Sequence, residues 1–300
     1  MTTPSTRTRP MMAYLLVLSF LFSAASAPIA IRYAQLEGVP SLYIILVRLL
    51  LISIAITPYV WRNHRQELQA LARRDWGWVI SAGLLHGIGV GLLFFSLEYT
   101  SILVSAVMRR TSPLWVIAIE VLFLHAVFTR QVWFGIILTI IGTIFVGLGG
   151  ATAIEGGSHP LFGALLAALT AVVNAVYLII GRKLRHKLSF MPYSLVVFGS
   201  AALFMLVCVL LTNTPLSGYS TIGYFWIVAV AIIAQLFGHL PINASLQYFA
   251  ATEISVGIQL SVVLSAVLAV FFLGEIPSSL QILGSLVAIG GVTLVVWRKE

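Results

Sequence analysis

Apolar residues in this chain occur in long runs that are separated by short polar stretches. A helix that spans a bilayer needs about 20 mostly apolar residues. Ten runs meet this criterion, with approximate limits at 12–31, 41–60, 77–97, 101–124, 131–149, 160–181, 189–212, 223–244, 252–273 and 278–297. Several connections carry turn and helix-start residues, such as Glu37 to Ser41 and Gly274 to Ser278. The pattern predicts an all-α fold of ten transmembrane helices joined by short loops.

The composition excludes a soluble protein. Hydrophobic residues make up 60% of the chain and charged residues only 9%, whereas a soluble domain carries about 25% charged residues. We therefore expect an integral membrane protein whose outer surface contacts the lipid bilayer. The single cysteine, Cys208, excludes an intrachain disulfide and a cysteine metal cluster.

The net charge of +8 would suggest nucleic acid in a soluble chain, but here most basic residues lie in loops and at the termini. One side of the predicted membrane holds Arg7, Arg9, Arg62, Arg65, Arg73, Arg74, Arg130, Arg182, Lys183, Arg185, Lys187, Arg298 and Lys299. The other side holds only Arg32, and Arg48, Arg109 and Arg110 lie inside spans. Because basic loops stay in the cytoplasm, both termini are predicted to be cytoplasmic, and we expect no nucleic-acid partner.

A segment of the first half recurs 149 positions further along the chain (245 − 96). Residues 96–124 align without a gap on residues 245–273. Identical pairs are Ser96/Ser245, Leu97/Leu246, Tyr99/Tyr248, Val107/Val256, Ser112/Ser261, Val121/Val270, Phe123/Phe272 and Leu124/Leu273, followed by Gly135/Gly284, Ile140/Ile289 and Gly142/Gly291. Each copy holds five helices, an odd number, so the second copy must enter the membrane upside down relative to the first. The sequence predicts an inverted-topology repeat.

The repeat divides the chain into five parts. Residues 1–11 are predicted to form a cytoplasmic tail, 12–150 the first five-helix repeat, 151–158 an extracytoplasmic linker, 159–297 the second five-helix repeat, and 298–300 the cytoplasmic C-terminus. Inverted repeats of this kind place the substrate site near the middle of the bilayer, between the two copies. The alternative is that the duplication only built a ten-helix bundle, because a fold by itself does not fix a function.

The sequence resembles the EamA-type members of the drug/metabolite transporter superfamily over nearly its whole length. The motifs that carry the resemblance are GALLAALTAVVNAVYLIIGRKL (163–184), FFLGE (271–275) with Gln281, Gly284 and Gly291, and in the first half Pro40, Arg48 and Pro113. Ala126 replaces the glutamate of the FLGE pattern in the first copy, and Val262 replaces the ninth-helix proline. The overall organisation is also similar to that of YddG-type bacterial exporters. The resemblance implies a transporter in a bacterial inner membrane that carries aromatic and other neutral amino acids outward.

Positions that are polar in both copies are candidates for the cavity, since chance alone seldom puts a polar residue on the same lipid face twice. Three pairs meet this condition: His86 with Gln235, Glu98 with Gln247, and Arg110 with Gln259. Gln235, His239 and Asn243 are also spaced by four, which puts them on one face of the eighth helix. His86 and His239 could titrate near neutral pH and couple transport to protons, although a hydrogen-bonded core histidine is commoner.

Charged residues within the spans have two readings. Arg109 and Arg110 are about 100° apart around their helix, so one can face a cavity while the other braces the bundle. We assign carboxylate binding to Arg110 and an ion-pair role to Arg109, with Glu98 and Glu120 as possible partners. The alternative is that both arginines only hold helices together. Arg48 is expected to reach toward the membrane surface or to link helices.

An aromatic substrate requires apolar and aromatic walls with a few polar groups that fix its orientation. Tyr99, Trp115, Tyr177 and Tyr248 are candidates for these walls because each lies on or beside a polar helix face. Asn174 lies one helical turn before Tyr177. An asparagine at this depth is as often a bond between helices as a contact to a ligand.

We interpret the chain as a secondary transporter that exports small metabolites, with aromatic and other neutral amino acids expected, by alternating access through a cavity between the repeats. The alternative is an exporter of another small amphipathic metabolite or drug. An intramembrane enzyme is a distant alternative, because the spans carry no catalytic pattern of metal ligands, paired aspartates or a nucleophile elbow. No GxxxxGK[ST] loop occurs, so no ATPase subunit, cofactor or metal is expected. The protein is expected to bind a small-molecule substrate and to act as a monomer or homodimer.

Overall fold

Helices lie on all ten apolar runs. The structure, a computed structural model, describes residues 11–109, 111–112, 114–115, 118–119, 129–152, 158–184, 187–239, 241, 261, 264–265 and 267–296. The helices are α1 (Met11–Leu36), α2 (Ser41–Asn63), α3 (Arg73–Tyr99), α4 (Ile102–Arg109), α5 (Arg130–Thr152), α6 (Pro160–Leu184), α7 (Phe190–Leu211), α8 (Thr221–Ala231), α9 (267–273) and α10 (Ser279–Val296). A connecting helix, Arg65–Gln69, lies between α2 and α3, and α8 continues as a π-helix over Ile232–His239. No strand occurs in these ranges.

Six of the described helices are long and apolar enough to cross a bilayer. They cover Tyr14–Leu36, Ser41–Asn63, Arg73–Tyr99, Pro160–Gly181, Phe190–Leu211 and Thr221–Gly238, and shorter apolar helices cover Arg130–Val146 and Ser279–Leu294. Large apolar side chains such as Leu203 and Phe225 are exposed on the outside of the bundle, where lipid replaces water as the solvent. These features confirm the prediction of an all-α integral membrane protein.

The two halves pack against each other, and the helix contacts between them occur in symmetric pairs. Exchanging α1–α5 with α6–α10 maps the α3–α6 contact onto the α8–α1 contact and the α3–α7 contact onto the α8–α2 contact. The α2–α7 and α5–α10 contacts map onto themselves. The core is therefore built mainly between the halves and not within each of them.

Glycines that match between the halves make the α5–α10 contact. A Cβ atom at Gly284 would lie 2.7 Å from the carbonyl oxygen of Gly142, and one at Gly291 would lie 2.7 Å from the carbonyl oxygen of Gly135. The repeat pairs Gly135 with Gly284 and Gly142 with Gly291, so each of these two contacts is the image of the other. Close approach of backbones at glycine is a common way to pack helices in lipid, where no hydrophobic effect drives them together.

Counterpart loops lie at opposite ends of the bundle, as an inverted repeat requires. The α2–α3 connection contacts the α6–α7 loop through Glu67 and Ser189. Its counterpart, the α7–α8 loop, contacts the far end of α1 through Ser220 and Glu37. We name the first end the basic end, because the described residues there include Arg62, Arg65, Arg73, Arg74 and Lys187. The other is the opposite end.

Candidate functional site

A cavity of about 160 Å³ lies between the two halves, halfway along the helices. Asn174, for example, is 14 residues into α6, or about 21 Å along it at the usual helical rise. The lining comprises Phe20, Ser23, Ala24, Ala27, Pro28 and Ile31 of α1, Arg48 of α2, Leu85, His86, Gly89, Val90 and Leu93 of α3, Arg109 of α4, Thr170, Asn174 and Tyr177 of α6, and Ala234 and Gly238 of the π-helix. Its walls are mostly apolar, with a few polar groups, which is typical of a small-molecule site.

Two guanidinium groups line this cavity. Arg109 lies on α4, and its Nε is buried with no hydrogen-bond partner among the residues that the structure describes. Arg48 is only 4% exposed, and its guanidinium carbon lies 5.9 Å from the centre of the Phe94 ring. Arginine keeps its charge in proteins, so both cations face an apolar space where the dielectric constant is low.

Helices α3 and α6 supply further polar groups to the wall of the cavity. The centre of the His86 ring lies 5.5 Å from that of Tyr177 and 5.4 Å from that of Phe198. Asn174 donates a long hydrogen bond of 3.4 Å from Nδ2 to the hydroxyl of Ser112, which donates at 3.1 Å to the carbonyl of Ala171. Besides Arg109, four residues that the sequence analysis singled out line this same cavity: Arg48, His86, Asn174 and Tyr177.

The first helix and the π-helix form the remaining wall. Ser23 donates to the carbonyl oxygen of Ile233 at 2.6 Å, and Ser19 donates to that of Phe237 at 3.1 Å. These serines hold α1 against the wider turns of the π-helix. Such turns are rare in helices and are frequent at functional sites.

Gln235 lies on the π-helix next to the cavity-lining Ala234. Its side chain is 1% exposed, and neither amide atom has a hydrogen-bond partner in the described part of the chain. A buried amide in this condition is uncommon and calls for a reason.

Three other predicted residues lie outside the cavity. Tyr99 is near the opposite end, where its ring meets that of Phe162 edge-on at 5.1 Å. Glu98 accepts a hydrogen bond from Ser41. Trp115 is 40% exposed, and its Nε1 donates to Thr111 at 3.3 Å. Their part in substrate binding or ion pairing stays a prediction.

The remaining predicted residues fall outside the described ranges or are described by their backbone alone. Arg110, Glu120, Asn243, Tyr248 and Gln259 lie outside the described residues, and only the backbone of His239 is described. The division of roles between Arg109 and Arg110 also stays a prediction, although Arg109 is the one known to line the cavity.

Several cavity residues were missed in the sequence. Ser23 and Pro28 lie on α1. Under the 149-residue shift Ser23 falls on the apolar Val172, and Pro28 is itself apolar, so the search for positions that are polar in both copies did not select them. Thr170 stands one turn before Asn174 on the same face of α6, so the spacing of four could have found it. Among the described residues, no three His, Cys, Asp or Glu side chains come together in a way that could hold a metal ion.

Polar contacts between the halves close the opposite end. Arg32 Nη2 lies 3.3 Å from Glu275 Oε1 and donates at 2.7 Å to the carbonyl of Thr100. The other oxygen of Glu275 accepts at 2.8 Å from the backbone N–H of Ile102, the first residue of α4. Glu275 therefore caps the helix that carries Arg109, and a carboxylate at a helix N-terminus is stabilising.

A second set of contacts closes the basic end. Lys187 Nζ lies 2.9 and 2.7 Å from the two oxygens of Asp75. Glu67 contacts His64 at 2.7 Å and accepts from both the backbone N–H and the hydroxyl of Ser189, at 2.8 and 2.9 Å. Partial burial raises the pKa of Glu67, but the hydrogen bonds and the charge of His64 outweigh it, so the pKa lies below its usual value.

Comparison with solved structures supports the fold. A crystal structure superposes with a TM-score of 0.64 at 16% sequence identity, over 94% of this chain and 95% of that chain. At this identity the likeness shows the fold alone.

Relatives in bacteria are named as transporters. A protein of Clostridium kluyveri, an "Uncharacterized transporter", is 22% identical over 246 residues, which is 81% of this chain and 79% of that protein. YdfC of Bacillus subtilis, an "Uncharacterized transporter", is 22% identical over 189 residues, 63% of this chain and 60% of its own length. The family model described as "EamA-like transporter family" matches twice, over residues 11–148 and 161–297. With nearly the whole chain matched and a cavity between the halves, the protein belongs to the EamA-like transporter family.

Proposed function

We propose that this transporter is a secondary carrier that exports small carboxylate-bearing metabolites, aromatic and other neutral amino acids among them, by alternating access through the cavity. One observation carries the proposal: the guanidinium of Arg109 lines an apolar cavity, and its buried Nε has no hydrogen-bond partner in the described residues. A guanidinium binds a carboxylate through two parallel charge-assisted hydrogen bonds.

The size and walls of the cavity support an amphipathic substrate. An engineered protein cavity of about 150 Å³ holds one benzene molecule, and the present cavity measures about 160 Å³. Phe20 and Leu93 supply apolar surface, whereas Asn174 and Tyr177 supply hydrogen bonds. A ring or branched alkyl group with a carboxylate at one end suits this combination.

Polar contacts between the halves at both ends support alternating access. The Arg32–Glu275 pair closes the opposite end, and the Lys187–Asp75 pair closes the basic end. Since each pair joins the two halves, rocking of the halves about the cavity would break one pair and keep the other. With the basic end facing the cytoplasm, both termini lie inside and the protein resides in the inner membrane of a bacterium.

Transport in proteoliposomes tests the proposal. Vesicles loaded with labelled leucine, phenylalanine or their carboxylate analogues should release label only when the protein is present. Loss of a bidentate charge-assisted contact costs about 1.5–3 kcal/mol, so Arg109→Gln should raise KM about 10- to 150-fold. Arg74→Gln, which removes an exposed arginine at the basic end, is the matched control. Release of no carboxylate compound would disprove the substrate class but leave the family and fold intact.

The YddG-type resemblance stays a prediction. It predicts that the transporter prefers aromatic amino acids to other compounds of similar size. Competition by unlabelled amino acids in the same vesicles measures this directly, and inhibition by uncharged or cationic amphipathic compounds alone would favour a drug exporter.

A further inference from the structure

Gly89 lines the cavity at a point where helix packing does not require a glycine. It is buried on α3, and His86 and Leu93, about one turn before and after it, line the cavity from the same helix face. A Cβ atom at Gly89 would have Cγ1 of Val173, on α6, as its nearest described neighbour, at 3.5 Å. This is an ordinary van der Waals distance, so an alanine would fit between α3 and α6.

Nearby glycines that serve packing have different surroundings. A Cβ atom at Gly238, on the π-helix side of the cavity, would lie 2.6 Å from the hydroxyl oxygen of Ser23. One at Gly83 would lie 2.7 Å from the carbonyl oxygen of Val197. Both distances are too short for a Cβ atom, so close packing explains these two glycines. Since glycine is a poorer helix former than alanine, Gly89 calls for another reason, and the open cavity in front of it supplies one.

We propose that Gly89 is a specificity-determining residue, which keeps open the space that receives the side chain of a large substrate such as an aromatic amino acid. This inference rests on the proposed function and assigns the upper size limit of the substrates to one position. The cavity measures about 160 Å³, close to the ~150 Å³ that holds one benzene molecule. Such a space has little room for an added methyl group beside a phenyl ring, whereas a smaller side chain would still fit.

Gly89→Ala should therefore change discrimination by size and not transport in general. One methylene group more or less in an apolar pocket changes discrimination between substrates about 10- to 200-fold. We expect KM for L-phenylalanine to rise about tenfold or more and KM for L-alanine to stay nearly unchanged. Transport into and out of proteoliposomes that contain the full-length protein measures both.

Gly91→Ala is the matched control. Gly91 is also buried on α3, and a Cβ atom there would lie 3.6 Å from Cε of Met205, on α7. It is about 200° around the helix from Gly89 and is not part of the cavity wall. Both substitutions stiffen the same helix by the same chemical change, but only Gly89→Ala narrows the cavity.

A double variant separates lost space from an altered helix. Leu93→Ala removes several methyl and methylene groups from the cavity wall one turn after Gly89. Combined with Gly89→Ala, it should restore transport of phenylalanine if the added methyl group acts by occupying space. Transport that stays impaired in the double variant would contradict the proposal, as would equal effects of Gly89→Ala and Gly91→Ala, or equal changes of KM for phenylalanine and alanine. A Tm of Gly89→Ala well below that of Gly91→Ala would show that packing requires the glycine and would also overturn it.

Alkylation of a cavity cysteine tests the size limit without any substrate. In a protein with Cys208→Ser, which removes the single native cysteine, Thr170→Cys places a thiol on the cavity wall. Gly89→Ala should slow its reaction with N-phenylmaleimide much more than its reaction with N-methylmaleimide. If this ratio changes but no amino acid is transported, the proposed function fails and the role of Gly89 stands. If amino acids are transported and neither the ratio nor KM responds to Gly89→Ala, the proposed function stands and the role of Gly89 fails.

Discussion

At the residue scale, Gln235 beside the cavity is one of the most deeply buried polar residues in the described part of the chain. Its side chain is 1% exposed. Leaving a buried polar group unsatisfied costs about 1–3 kcal/mol. A protein under selection for stability alone would place an apolar side chain there, so we expect the glutamine to serve function at the expense of stability.

Gln235→Met should therefore stabilise the protein and slow transport. The methionine side chain has nearly the same length and lacks the unsatisfied amide. A gain of about 1 kcal/mol corresponds to a rise of roughly 2–4 °C in Tm, which thermal unfolding in detergent can measure. A lower Tm together with normal exchange in proteoliposomes would contradict this account.

Glu67 gives a prediction for pH. Because its pKa is lowered in the folded protein, its contacts stabilise the fold above the usual range of a glutamate, about 4–5, and this contribution disappears as pH falls through the lowered value. Wild type should have a higher Tm than Glu67→Gln at neutral pH, and the difference should shrink as pH falls below the usual range of a glutamate. Ser189→Ala should show the same trend with a smaller difference. A difference that grows on acidification would refute the assignment.

Which residues surround the cavity was only partly predictable. The spacing of Asn174 and Tyr177 is visible in the sequence, as is the charge of Arg109. The sequence could not decide between Arg109 and Arg110, since adjacent residues differ by about 100° and both lie in an apolar run. Thr170 was missed for a physical reason: a membrane threonine can bond its own helix, as Thr170 does with the carbonyl of Leu166 at 3.0 Å, so its polarity needs no cavity.

At the scale of helices, the limits were predictable and the internal geometry was not. The length of an apolar run indicates whether a helix can cross the bilayer. Helices α2 and α7 begin and end close to the predicted positions. The π-helix Ile232–His239 was not foreseen. Its sequence is as apolar as that of a regular helix, and residue pattern does not report whether each N–H bonds four or five residues back.

The α5–α10 contact predicts a contrast between two glycines of one helix. Gly284 lies against the backbone of α5, whereas a Cβ atom at Gly290 would have no neighbour within 4 Å. Alanine improves helix propensity by about 1 kcal/mol over glycine at both positions. At Gly284 overpacking, which costs about 1–3 kcal/mol, opposes this gain. Gly284→Ala should therefore lower Tm and Gly290→Ala should not, as thermal unfolding would show; equal effects would mean that α5 and α10 are not in close contact.

At the scale of the whole molecule, a separate ion pair joins the two halves at each end of the bundle, on either side of the cavity. Glu275 links Arg32 to the start of α4 at the opposite end. Asp75 binds Lys187 at the basic end. Since α4 carries Arg109, closing of the opposite end is mechanically connected to the position of a cavity cation.

Removing the ion pair at one end of the bundle should open the cavity to that side of the membrane only. In a protein with Cys208→Ser and Thr170→Cys, a membrane-impermeant maleimide reports access to the cavity. Glu275→Gln keeps an acceptor for the N–H of Ile102 but removes the ion pair, so labelling from the opposite end should become several times faster. Asp75→Asn should have the same effect from the basic end. Labelling that rises from the same side in both variants would argue against two separate closures.

The π-helix next to the cavity has a consequence for kinetics. Its counterpart in the first half, residues 83–90 of α3, is a regular α-helix. Under the proposed alternating access, the two orientations of the carrier are therefore not related by equivalent walls, and we expect them to differ in free energy. Transport from the two sides of the membrane should then reach half its maximal rate at different substrate concentrations, although the net flux still follows the imposed gradient.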